Sequence, residues 1–82
     1  MWRAEMRVTL KPGVLDPQGR AVRQKLANLG WTGVSDVRVG KFLELLLEAP
    51  DRAAAVALVE EMGRRLLANP VLEDFSFDLE ER

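Results

Sequence analysis

Residues 2–11 read WRAEMRVTLK, an unbroken alternation of apolar and polar side chains. Successive side chains on a strand leave opposite faces, so this pattern fits a strand with one face buried and does not fit a helix. Trp2, Ala4, Met6, Val8 and Leu10 share one face; Arg3, Glu5, Arg7, Thr9 and Lys11 share the other. The alternation returns in EDFSFDLEER, where Phe75, Phe77 and Leu79 line one face before the sequence runs into charge. A chain of 82 residues with such strands near both ends is predicted to fold as a single domain, residues 1–82, around one sheet.

Two helices are predicted between these strands. DPQGRAVRQKLANLG carries Asp16 to cap free amides, Pro17 at the first helical position and Gly30 as a left-handed stop. Val22, Leu26 and Leu29, with Ala21 and the stem of Lys25, form its inward stripe. DRAAAVALVEEMGRRLLANP is capped by Asp51 and ended by Asn69-Pro70, with Ala55, Leu58, Val59, Met62 and Leu66 facing the core. Glu60 with Arg64 and Glu61 with Arg65 have the favourable i,i+4 order. The intervening GVSDVRVGKFLELLLEAP is long enough for two strands joined at Gly40-Lys41. A two-residue turn sets Val39 against Phe42, whereas a three-residue loop sets Val37 against Leu45 and Arg38 against Glu44, and the register stays open. FLELLLEA is apolar on both faces, as in a central strand or one covered by another chain.

The predicted order is β-α-β-β-α-β. Its natural architecture is an α+β, ferredoxin-like two-layer sandwich: a four-stranded antiparallel sheet with two helices on one face and the other face open. On that open face Phe42 and Leu46 are candidates for self-association. Trp31, just past the first helix, is expected to plug its end.

Composition excludes much chemistry. There is no Cys, His or Tyr, so disulfides, most zinc sites and a histidine-activated nucleophile are ruled out as expectations, and no catalytic or metal-binding residue is assigned. The acidic pairs Glu73-Asp74 and Glu80-Glu81 lie on strands, where neighbours point to opposite faces and do not converge on one substrate. Twelve basic against 13 acidic residues argue against nucleic acid as a partner. The polar face of the first strand also lacks the aromatics on which bases stack. No apolar run approaches the ~20 residues of a membrane span, and the opening residues lack the apolar core of a signal peptide, so a cytoplasmic protein is expected.

The loop LKPGVLDPQG remains. It lacks the spacing and hydroxyl of a phosphate-binding loop, and Asp16 already places a negative charge at the helix start. Two prolines stiffen it, and Gly19 in the first helical turn costs roughly 0.5–1 kcal/mol relative to alanine. A close approach by a neighbouring subunit's backbone would offset that cost, which makes Lys11, Pro12, Gly13, Val14, Leu15, Asp16, Pro17, Gln18 and Gly19 a candidate docking loop.

KPGVLDPQG together with VRVGK and NPVLEDF resembles the PurS family, the small subunit of phosphoribosylformylglycinamidine (FGAM) synthase. The likeness runs along essentially the whole chain; Arg38, Gly40, Lys41, Asn69 and Pro70 fall in its second and third segments. It implies an adaptor without catalytic residues that dimerises and bridges two larger subunits. One of these is a glutaminase that releases ammonia; the other is an ATP-dependent synthase that holds ATP and Mg and consumes the ammonia. No cofactor is then expected in this chain. The alternative on the same element order is a small-molecule-binding regulatory module of the ACT type.

Overall fold

The strand with the cleanest alternation takes the middle of the sheet. In the computed structural model, which describes residues 1–82, β1 (Trp2–Leu10) lies between β2 (Lys41–Leu47) and β3 (Glu73–Glu81), and both neighbours are antiparallel to it. Met6 stands opposite Leu43 on one side and Phe77 on the other; Ala4 stands between Leu45 and Leu79. Directly opposed residues share a face, so one face collects Trp2, Ala4, Met6 and Val8 with Leu43, Leu45 and Leu47 and with Phe75, Phe77 and Leu79. Helix α2 (Arg52–Met62) and the π-helical turn Gly63–Leu67 cover that face. Met6, Val8 and Val59 are its largest fully buried side chains.

Asp51 caps α2 through its carboxylate, which accepts from Ala54 N–H at 2.8 Å. Of the expected inward stripe, Ala55 and Val59 are buried, but Leu58, Met62 and above all Leu66, 82 % exposed, are not. The cause is the π turn, in which Ala68 N–H donates to Gly63 five residues back at 2.9 Å. One extra residue in the turn rotates the end of the helix, so Leu67 and Ala68 meet the sheet in place of Leu66. Of the two expected ion pairs only Glu61–Arg65 forms, at 3.1 Å.

The architecture is α+β, but the four-stranded ferredoxin-like sheet is not what forms. Residues 34–40 carry no strand, turn or helix, and the hairpin with a turn at Gly40-Lys41 does not exist. Lys41 opens β2 directly. A Cβ on Gly40 would sit 2.1 Å from the Val8 carbonyl oxygen, so the chain runs straight past the end of β1 into the sheet rather than folding back there. The open question of hairpin register therefore disappears, and β2 is an edge strand.

Helix α1 (Pro17–Asn28) is the second departure. None of its residues joins the core; Val22 and Leu29 are exposed, Leu26 is half-buried, and Trp31, 59 % exposed, does not plug the helix end. Instead α1 packs on residues 34–39. Together with the loop 11–16 these segments form an arm beyond one end of the sheet. The radius of gyration is 16.1 Å, against about 12 Å for a compact chain of this length, and the molecule extends 51 × 27 × 14 Å.

Candidate functional site

The arm is built around the loop between β1 and α1. Lys11 anchors its start: the backbone N–H donates to Leu72 O at 2.8 Å and the ammonium pairs with Asp74 at 2.8 Å. Val14 N–H closes a turn onto Lys11 O at 3.1 Å, and Gly13 within it has φ +87°, the left-handed region that favours glycine. Asp16 then ends the loop. Its carboxylate accepts from Gly19 N–H at 2.9 Å, as a helix cap does, and from Val39 N–H at 2.8 Å, which ties the far side of the arm to the same group. The Gly19 and Val39 bonds hold the Asp16 pKa below the ordinary carboxylate value, with a lesser contribution from the Arg38 charge.

Gly19 is buried, and a Cβ there would lie 2.0 Å from the Val37 carbonyl oxygen. The backbone that presses on it belongs to this chain, not to a neighbouring subunit, so glycine at this position is explained within the fold. Arg23 Nε donates to Val34 O at 3.1 Å and Arg38 donates to Leu10 O, which closes the arm on both sides. Between Pro12–Asp16 and Asp36–Arg38, with Arg20 at its rim, lies an open depression of about 320 Å³.

The candidate residues fall in two places. Of the proposed docking loop, Pro12, Gly13, Leu15, Pro17 and Gln18 are exposed, Lys11, Val14 and Asp16 are half-buried, and Gly19 is buried. Arg38 and Gly40 close against its base, and Lys41 Nζ reaches Leu67 O at 3.4 Å. Asn69 shapes the turn before β3: its side-chain oxygen accepts from Val71 N–H at 3.0 Å, while its backbone N–H donates to the Glu73 carboxylate at 2.7 Å. Pro70 lies exposed within that turn. KPGVLDPQG, VRVGK and NPVLEDF, remote in sequence, thus meet at one end of the sheet through Lys11–Leu72, Lys11–Asp74, Arg38–Leu10 and Asp16–Val39 contacts. Phe42 and Leu46, 56 % and 66 % exposed, stand apart on the uncovered face among Arg3, Glu5, Arg7 and Glu44.

The family model described as PurS: Phosphoribosylformylglycinamidine (FGAM) synthase matches residues 3–81. The chain belongs to the PurS family. It is 47 % identical to FGAM synthase subunit PurS of Bacillus subtilis over 81 residues, 99 % of this chain and 95 % of that one. It is 53 % identical to the Synechocystis PurS subunit over 72 residues, 88 % of this chain and 72 % of the relative. A crystal structure of Bacillus subtilis PurS superposes with TM-score 0.85 at 47 % identity, covering 99 % of this chain and 100 % of that one. The structure of PurLQS from Thermotoga maritima contains a chain 26 % identical, with TM-score 0.87 and 96 % of each chain covered. As a PurS-family chain it is a subunit of FGAM synthase, a ligase of purine biosynthesis.

The sequence reading missed the arm, which could have been found from charge. Residues 11–41 hold six basic and two acidic side chains, while the rest of the chain holds six basic and 11 acidic. No salt bridge uses a cation from residues 12–40, whereas Arg3 and Arg7 on the sheet and Lys11 just beyond β1 all have acidic partners. No three acidic side chains converge as a metal ligand set, and no helix is long and apolar enough to cross a membrane.

Proposed function

We propose that this chain is the non-catalytic adaptor of a glutamine-dependent FGAM synthase, bridging a glutaminase subunit and an ATP-dependent synthase subunit in the cytoplasm and supporting the passage of ammonia between them. ATP and Mg belong, in this reading, to the large subunit. The observation that carries it is the meeting of the three family segments at one end of the sheet, at the root of a projecting arm that holds no Cys or His. The Thermotoga maritima relative, solved as PurLQS, supports the same assembly here. Loop residues Lys11–Gly19 form the docking edge: two prolines and the double hydrogen bond on Asp16 order it before it meets a partner, which lowers the entropy lost on binding.

The chain also associates with itself, as a dimer. Phe42 and Leu46 on the open sheet face are the contact residues, and Val22, Leu29 and Trp31 on the arm add apolar surface that this single copy leaves in water.

The test of the docking edge is co-elution of this chain with each purified partner subunit. Val14→Asp and Leu15→Asp change exposed or half-buried loop positions and leave the core untouched. They are expected to weaken co-elution while the circular dichroism spectrum stays unchanged. Wild-type co-elution by both variants would remove the loop from the interface.

A further inference from the structure

The charges of the arm are not spread evenly over it. Between Pro17 and Val34 the chain carries Arg20, Arg23 and Lys25 and no acidic residue. Arg20, Arg23, Gln24 and Ala27 recur at the spacing of one helix face, and Val22, Leu26 and Leu29 lie on the opposite side. With Thr32 and Val34, those four residues line an open depression of about 270 Å³. Its polar lining is two guanidiniums, an amide and a hydroxyl, with no carboxylate among them. Arg23 is oriented from within: its Nε donates to Val34 O at 3.1 Å, which leaves the two terminal nitrogens of the guanidinium to point at a partner. Neither Arg20 nor Arg23 takes part in an ion pair. The neighbouring depression, which Arg20 also rims, is of mixed charge, with Asp16 and Asp36 against Arg20 and Arg38. There Asp16 gives one oxygen to the Gly19 amide and the other to the Val39 amide.

Resting on the adaptor reading above, we infer that this charged face of α1 docks an acidic surface segment of one of the two larger subunits, whose carboxylates meet Arg20 and Arg23. Charge complementarity carries the argument. A guanidinium takes a carboxylate through two parallel N–H bonds, and one already held in place loses less freedom in doing so. The depression is open, and all its lining residues except Val34 are exposed, so it suits side chains presented by another protein surface rather than an enclosed small molecule. The contact is made by side chains and needs no unpaired backbone. Arg20 and Arg23 lie opposite the apolar stripe of α1, so a second copy covering Val22, Leu26 and Leu29 leaves them in water. The acidic strand β3 of a second copy is the poorer occupant. Asp74 and Asp78 are already paired with Lys11 and Arg7, and Glu73 accepts from Asn69 N–H.

The test is the association rate of the full chain with the purified glutaminase or synthase subunit, followed by stopped-flow mixing over a range of salt. Arg20→Glu and Lys25→Glu make the same charge change on the same helix, but Lys25 lies outside the depression. Arg20→Glu is expected to lower the rate with one of the two subunits by about tenfold at low salt and to flatten its salt dependence, while Lys25→Glu lowers it by less than about threefold. Equal effects of the two variants overturn the inference in favour of diffuse steering by the whole arm. Wild-type rates for Arg20→Glu with both subunits also overturn it and leave the adaptor reading standing. A loss confined to the chain's own association, measured by sedimentation, overturns it in favour of a second copy. Failure of the wild-type chain to associate with either subunit counts against the adaptor reading itself, and the inference falls with it.

Discussion

Asp16 accepts from an amide in its own helix and from one 23 residues on, at Val39, and those two bonds help hold the arm together. Both require the carboxylate, and they lower its pKa. A group whose folded pKa is depressed contributes stability above its unfolded value and loses it as pH falls through the folded one. The arm is therefore expected to stay ordered at neutral pH and to loosen only below the ordinary carboxylate range, about pH 4. The amide resonances of Gly19 and Val39 should titrate together, with a common midpoint below 3.8. A midpoint above that value, or two unrelated ones, contradicts the double bond. Gly19 gives a second check at this scale. Alanine normally favours a helix over glycine by about 1 kcal/mol. Here the added Cβ meets the Val37 carbonyl, so Gly19→Ala should destabilise by about 1–3 kcal/mol in urea unfolding.

Among the elements, the π turn decides which leucine is buried. Leu66→Ala is expected to change stability by less than about 0.5 kcal/mol, since the side chain is 82 % exposed. Leu67→Ala, one residue on and packed on the core, should cost about 1–2 kcal/mol. Equal losses would place the helix in plain α register. The turn starts at Gly63, where a Cβ would lie 2.6 Å from the Phe75 ring. Gly63→Ala alone should destabilise by about 1–3 kcal/mol, and adding Phe75→Leu should recover part of that loss, a coupling a double-mutant cycle measures directly. Elements set by local rules were legible in the sequence: β1 and β3 by their alternation, and both helix starts by Asp16 and Asp51. What was not legible depended on contacts remote in sequence. Val37 and Val39 carry a strand's pattern, but Asp16 and Gly19 hold that segment away from the sheet. The stripe on α2 was read with a 3.6-residue period, which the π turn breaks after Met62. The candidate site was legible as three separate segments; that they meet at one end became visible only once β1 was placed at the centre of the sheet.

At the scale of the whole molecule, seven buried apolar residues make a small core, and a basic arm projects from a more acidic body. A chain of this size buries a smaller share of its surface than a larger domain does and gains by association. Val22→Glu with Leu29→Glu changes only exposed positions, one on α1 and one at its C-terminal cap. The pair should leave the folded spectrum intact while lowering the sedimentation-equilibrium association constant by about tenfold or more, and an unchanged constant would remove the arm from the self-association surface. The adaptor account itself is tested most directly by turnover in a mixture of the purified glutaminase and synthase subunits, with and without this chain, driven in parallel by glutamine and by free ammonia. The account expects glutamine-driven turnover to depend on the chain and ammonia-driven turnover to proceed without it. Equal glutamine-driven rates with and without the chain would contradict the account.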